Sequence, residues 1–135
     1  MLLRIDLNSE EAIYLQIRSQ IVQAVASGEL SAGDALPSVR ALAGDLGVNM
    51  HTVNKAYAVL RDEGYVIMRG RSGAYIADRA AATTPERAAR DRDNLAQALH
   101  RLALEHKAQG GSRESFVSLA SEQAARVFSD TSRSL

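Results

Sequence analysis

The sequence predicts a mainly α-helical fold with one small β-hairpin, followed by a short C-terminal helical hairpin. Three observations carry this expectation. Amphipathic segments punctuated by glycine succeed one another between residues 13 and 64. The β-rich run Tyr65-Val66-Ile67-Met68 then returns, through a Gly-containing turn, as Ala74-Tyr75-Ile76-Ala77. Beyond residue 78 the chain becomes rich in Ala, Arg, Ser and Glu and poor in large apolar residues.

Each element has a local cause. Leu3, Ile5 and Leu7 alternate with Arg4 and Asp6, which predicts a short extended arm. Ile13, Ile17, Ile21, Ala24 and Val25 recur at spacings of four and three, giving a first helix one apolar stripe, and Gly28 supplies a left-handed cap. A turn at Gly33-Asp34 leads through Leu36-Pro37 to Ser38, which can cap a second helix with Leu42, Ala43 and Leu46 inward and Gly47 as its stop. Asn49 caps a third helix running to Glu63, with Val53, Ala56, Tyr57 and Leu60 as its buried stripe. Gly64 ends it, and the two β runs follow around residues 69–73. Three helices and a hairpin, in that order, make a winged helix-turn-helix. The domain boundaries expected are 1–78 for that unit and 79–135 for a linker and a two-helix region, with residues 79–85 as the connector. In the second region Pro85 and Glu86 suit a first turn, Leu95, Leu99, Leu102 and His106 recur at four, three and four, and Gly110-Gly111-Ser112 breaks the pattern. Phe116, Ala120 and Val127 mark the inner face of a last helix. His106 is expected at the edge of the leucine stripe.

Composition narrows the chemistry. With no cysteine the chain has no disulfide scaffold, thiol nucleophile or thiolate metal site. His100 and His106 are six apart on one helix and form no ligand pair, so no metal and no cofactor is expected. No run of about 18 apolar residues occurs, so nothing is expected to span a membrane, and an acid at position 6 argues against a signal peptide; the expected location is the cytoplasm. No Ser-His-Asp set, carboxylate pair or phosphate-binding glycine loop emerges, and the chain is not expected to be an enzyme.

A helix-turn-helix makes steric demands that one register of this sequence meets. Ala43 is small where two helices cross, Gly47 lies four residues on at the tight turn, and Val53 and Ala56 anchor the second helix from behind. That leaves Asn49, Met50, His51, Thr52, Asn54 and Lys55 on a turn free to enter a major groove. Asn can pair with adenine, Thr and Met can touch thymine methyl groups, and Lys can reach guanine or phosphate. The bland alternatives are an exposed, unpartnered His51 and solvated charges at Arg40 and Lys55. Tyr57 and Tyr65 fit core and hairpin packing better than base stacking.

The stretches Leu36-Pro37-Ser38-Val39-Arg40-Ala41-Leu42-Ala43, Leu46-Gly47-Val48-Asn49, Thr52-Val53-Asn54-Lys55-Ala56-Tyr57 and Glu63-Gly64-Tyr65 resemble the GntR family of bacterial transcription regulators, as do Ile13-Tyr14-Leu15-Gln16-Ile17 and Gly28-Glu29-Leu30. The likeness covers residues 5–77, and the short tail resembles the YtrA subfamily. It implies double-stranded DNA as the partner, bound at a palindromic operator by a homodimer, in a bacterial cytoplasm with nucleoid association when bound. It further implies a repressor of a nearby operon, commonly one for an ATP-binding-cassette (ABC) transporter, relieved by a small-molecule effector. Carried over by position, Ser38, Arg40, Asn49, Met50, His51, Thr52, Asn54 and Lys55 would contact DNA from the helices, and Arg69, Gly70, Arg71, Ser72 and Gly73 from the wing. Leu95, Leu99, Leu102, Phe116, Ala120 and Val127 would form the dimer contact. The sequence departs from the family at Ala12 and Ala32, where Pro is frequent, and at the wing, where Arg71 replaces the first glycine of a Gly-x-Gly. A winged-helix module for protein–protein contact is the alternative; such a wing would expose apolar residues.

Charge fits a local binder. The chain has 16 basic and 16 acidic residues, and residues 1–78 alone are net −2 with seven against nine. A non-specific grip on nucleic acid is therefore not expected; four of the seven basic residues of that half, Arg40, Lys55, Arg69 and Arg71, fall on the proposed contact face.

Overall fold

The computed structural model describes residues 2–133, apart from the side chains of Ser72 and residues 129–133. Its elements are α1 (Ile13–Ser27), α2 (Val39–Leu46), α3 (Met50–Asp62), β1 (Val66–Met68), β2 (Ala74–Ile76), α4 (Arg79–Ala82), α5 (Pro85–Ala108) and α6 (Arg113–Arg133), with one 3₁₀ turn at Gly70–Ser72. Backbone contacts divide the chain into Met1–Ala82 and Thr83–Leu135.

In the first unit the expected caps form. Ser38 Oγ accepts from the Ala41 amide at 3.0 Å and Asn49 Oδ1 from the His51 amide at 2.7 Å. Gly28 ends α1 in the left-handed conformation, and α1 starts at Ala12 with no side-chain cap. β1 and β2 pair antiparallel in the register Val66↔Ile76, Ile67↔Tyr75, Met68↔Ala74. The segment read as a turn at Gly33-Asp34 does more than reverse the chain. It lines the free edge of β2, where Leu36 donates to Ala74 O, Gly33 to Ile76 O, and Ile76 to Asp34 O. The core joins α1 to α3 and the hairpin: Ile17, Ile21, Val53, Ala56 and Leu60 are fully buried and Tyr57 is 1% exposed. Tyr57 donates its hydroxyl to the Pro37 carbonyl at 2.8 Å, which ties α3 to the lead-in of α2. Burial pushes this phenol up to about 12.

Two local expectations are corrected. The alternation of the N-terminal arm stops at Leu7, which is exposed on a turn, while Leu3 and Ile5 pack against the core. The reason is that α1 grips the arm by its main chain. Gln20 accepts from the Arg4 amide and donates to the Arg4 carbonyl; one turn earlier, Gln16 accepts from the Asp6 amide and donates to the carbonyls of Asp6 and Glu11. The connector begins as a helix, α4, because Asp78 Oδ1 accepts from the Ala81 amide and the alanines have high helix propensity.

In the second unit α5 is capped by Thr84, whose Oγ1 accepts from the Arg87 amide. His106 lies in the last turn of α5, in line with Leu99 and Leu102, and reaches across to α6: Nε2 lies 2.7 Å from Ser115 Oγ, and the ring sits 5.8 Å from that of Phe116. A Cβ on Gly111 would collide with the imidazole. Gly111→Ala is therefore expected to displace the ring and lower the stability of the helical hairpin by about 1 kcal/mol, the net worth of the hydrogen bond given up. In a His106→Ala background the same change should cost nothing, which helix melting by circular dichroism can check. No described residue of α5 or α6 is buried.

Candidate nucleic-acid interface

The turn between α2 and α3 is built by Gly47, whose φ of 69° suits a residue without a side chain, and by the Val48 amide donating to the Ala43 carbonyl. Behind it Val53 and Ala56 are sealed in the core. The opposite side of the first turns of α3 is therefore open: Asn49, Met50, His51, Asn54 and Lys55 are exposed and Thr52 is half-buried. Arg40 lies exposed in the first turn of α2, and among the described residues nothing pairs with it. Helix N-termini present unpaired amides, which together with Arg40 favour an anion.

Two residues carry structural duties as well as candidate contacts. Asn49 spends Oδ1 on its cap, which leaves Nδ2 to offer a base. Ser38 accepts at its cap and keeps its hydroxyl proton to donate. Asn54 has no such duty and retains both groups a bidentate adenine contact needs.

In the wing, the Arg69 amide donates to the Gly73 carbonyl at 2.9 Å, closing the loop. Gly70 has φ 51° and Gly73 φ 100°, ψ −154°; the second is a conformation open essentially to glycine. The Arg69 guanidinium lies 5.2 Å over the Tyr75 ring, Arg71 is exposed, and the Ser72 side chain lies outside the described residues. At the base of the wing, Arg18 forks onto the Glu63 carboxylate at 2.9 and 2.6 Å, which holds its guanidinium above the usual range. Arg18 and Arg79 both lie over the Tyr65 ring. Tyr65 is thus packing, as expected, and these two arginines are scaffold.

One residue that sequence reasoning passed over belongs with the interface. Tyr14, on the first turn of α1, lies under the Lys55 ammonium, 4.2 Å from its ring centroid. No local signal marks it, because the partners are far apart in the chain and meet only when α1 packs on α3. The leucines assigned to a dimer contact stand clear: Leu95, Leu99, Leu102 and Val127 are between 43% and 61% exposed, and Ala120 is exposed. Phe116 is half-buried, partly by His106. Among the described residues no cluster of three His, Cys, Asp or Glu could hold a metal, and no helix is long and apolar enough to cross a membrane.

Fold and site together define a winged helix-turn-helix. The chain matches the bacterial regulatory proteins of the gntR family over residues 13–76. It is 42% identical to YtrA from Sulfolobus acidocaldarius, a GntR-family transcription factor, covering 73% of this chain and 99% of that one with a TM-score of 0.56. A transcriptional antiterminator from Listeria monocytogenes EGD-e superposes with a TM-score of 0.75 at 29% identity, covering 94% and 92% of the two chains. The transcriptional repressor YtrA of Bacillus subtilis is 42% identical over 86 residues, 63% of this chain and 65% of that protein. The chain belongs to the GntR family and is similar to its YtrA-like members; this is a family of regulators, not enzymes. It spans less than two thirds of the length of the curated relatives it matches.

Proposed function

We propose that the protein is a sequence-specific, DNA-binding transcriptional repressor that acts as a homodimer on a palindromic operator. The observation that carries this reading is the polar first turn of α3, backed by a sealed apolar face and flanked by the exposed Arg40. One winged unit reads few base pairs, and two-fold symmetry doubles the contact. The exposed leucines of α5 support pairing of copies through the helical hairpin, since a helix pair this size is marginal with its apolar face in water. By likeness to YtrA, the regulated genes would be a nearby operon, an ABC-transporter operon being the leading candidate. A groove of ≈ 450 Å³ lined by Leu99, Leu102, His106, Phe116 and Leu119 offers room for a small apolar or cationic effector.

The test is a mobility-shift assay with DNA from upstream of the chain's own gene; no salt-sensitive, sequence-dependent shift would sink the reading. Within it, Arg40→Ala should weaken binding to all sequences alike, whereas Asn54→Ala should relax preference at one base pair by about 1–3 kcal/mol of discrimination. Competition against a panel of singly substituted operators separates the two.

One observation favours a second reading. Ile67 and Met68, adjacent on β1, are each 41% exposed, as a protein-binding wing would have them. Two residues make a small apolar area, within what ordinary surfaces carry. Ile67→Ser with an unchanged mobility shift would leave the Ile67 side of the wing open to a protein partner.

A further inference from the structure

The cations of the interface fall into two kinds. Arg40 and Arg71 extend from the surface with no partner among the described residues, whereas Lys55 and Arg69 each lie over a tyrosine ring, Tyr14 and Tyr75. Lys55 projects from the same exposed face of α3 as His51, one turn on, where a lysine left to itself could reach forward to a guanine or sideways to a phosphate. The ring decides between these. Tyr14 belongs to α1, which packs on the core side of α3, and it is itself half-buried against the core. An ammonium 4.2 Å above that ring is drawn off the front of the recognition helix toward the scaffold, so that it flanks the groove-facing turn. Cation–π attraction uses the charge without satisfying all three ammonium protons, so the group stays competent to donate. No ion pair engages Lys55 among the described residues, so nothing has to be broken before it meets an anion.

We propose that Tyr14 is a positioning residue that holds the Lys55 ammonium beside the recognition helix as a preset phosphate contact, which leaves base reading to the turn from Asn49 to Asn54. This rests on the DNA-binding reading above and deepens it. The advantage is entropic: a free lysine must lose rotamer freedom on binding, and one already resting on a ring loses less.

The experiment uses the full chain and a duplex that the unaltered protein selects from a random-sequence library. Lys55→Met should weaken binding to that duplex and to its point-substituted versions by one common factor, and lower the salt slope by about one per subunit. Tyr14→Leu should weaken binding by about two- to fivefold per subunit, the range of an exposed cation–π contact, and Tyr14→Phe, which keeps a ring, should restore it. In the Lys55→Met background Tyr14→Leu should add nothing, which a merely structural Tyr14 would not satisfy. In the DNA-free protein, ring-current shifts of the Lys55 ε-methylene NMR signals should persist in Tyr14→Phe and vanish in Tyr14→Leu. A loss by Lys55→Met confined to one base pair, additive losses in the double variant, or missing ring-current shifts overturn this proposal alone. Failure of the unaltered chain to select any duplex overturns it together with the DNA-binding reading.

Discussion

Tyr57→Ala is expected to lower the unfolding free energy of the winged unit by about 3–5 kcal/mol, a large share of what a domain this size holds. The ring is 1% exposed and lies among Ile17, Ile21, Val53 and Leu60, so removing it leaves a cavity that helices already packed on three sides cannot collapse into. The hydroxyl adds a second loss, because the Pro37 carbonyl then forfeits its donor. Tyr57→Phe isolates this part and should cost about 1 kcal/mol, with Pro37 less firmly seated at the start of α2. Urea titration of the three proteins measures both. The same phenol sets an alkaline limit. Its folded value of about 12 lies above the unfolded value of 10.0, so the folded state favours the protonated form. The resulting stability is fully present below pH 10 and declines as pH rises toward 12. Tyr57→Phe should remove that decline, and an unfolding midpoint equally steep in pH for both proteins would contradict the assignment.

The second large effect concerns assembly. Leu99→Asp should abolish self-association and reduce affinity for a two-half-site duplex on the order of 100-fold, because the second half-site is then bound from bulk solution and no longer at the high effective concentration that pairing supplies. Leu99 is 43% exposed in the single chain, on the stripe with Leu95 and Leu102, and a carboxylate there would be desolvated against apolar partners. It should leave the groove-facing turn intact, so binding to an isolated half-site is the control. Sedimentation of the variant settles the matter: a Leu99→Asp chain that still pairs places the interface elsewhere.

The helices of the first unit were legible because their signals are local. Ile17, Ile21 and Ala24 repeat at helical spacing, Ser38 and Asn49 cap the amides next to them, and Gly28 and Gly47 stop the helices where a positive φ is needed. What was not legible depends on residues distant in sequence. Gln16 and Gln20 look like ordinary helix-surface polar residues until the arm lies across them. His106 was readable as the edge of the leucine stripe, but its contacts with Ser115 and Phe116 depend on the return of α6. The candidate DNA-facing residues were readable by type and position, but the ring beneath Lys55 appears only once α1 and α3 are packed together.

The grip of Gln16 and Gln20 on the arm has a consequence for exchange with solvent deuterium. Amides near a chain end normally exchange at close to the free-peptide rate. Those of Arg4 and Asp6 are bonded to side chains of α1, with Gln16 itself 7% exposed, so they exchange only when α1 releases the arm. Their protection reports the integrity of the first helix, from residues that precede it, and the neighbouring amide of Leu7 serves as the unprotected reference.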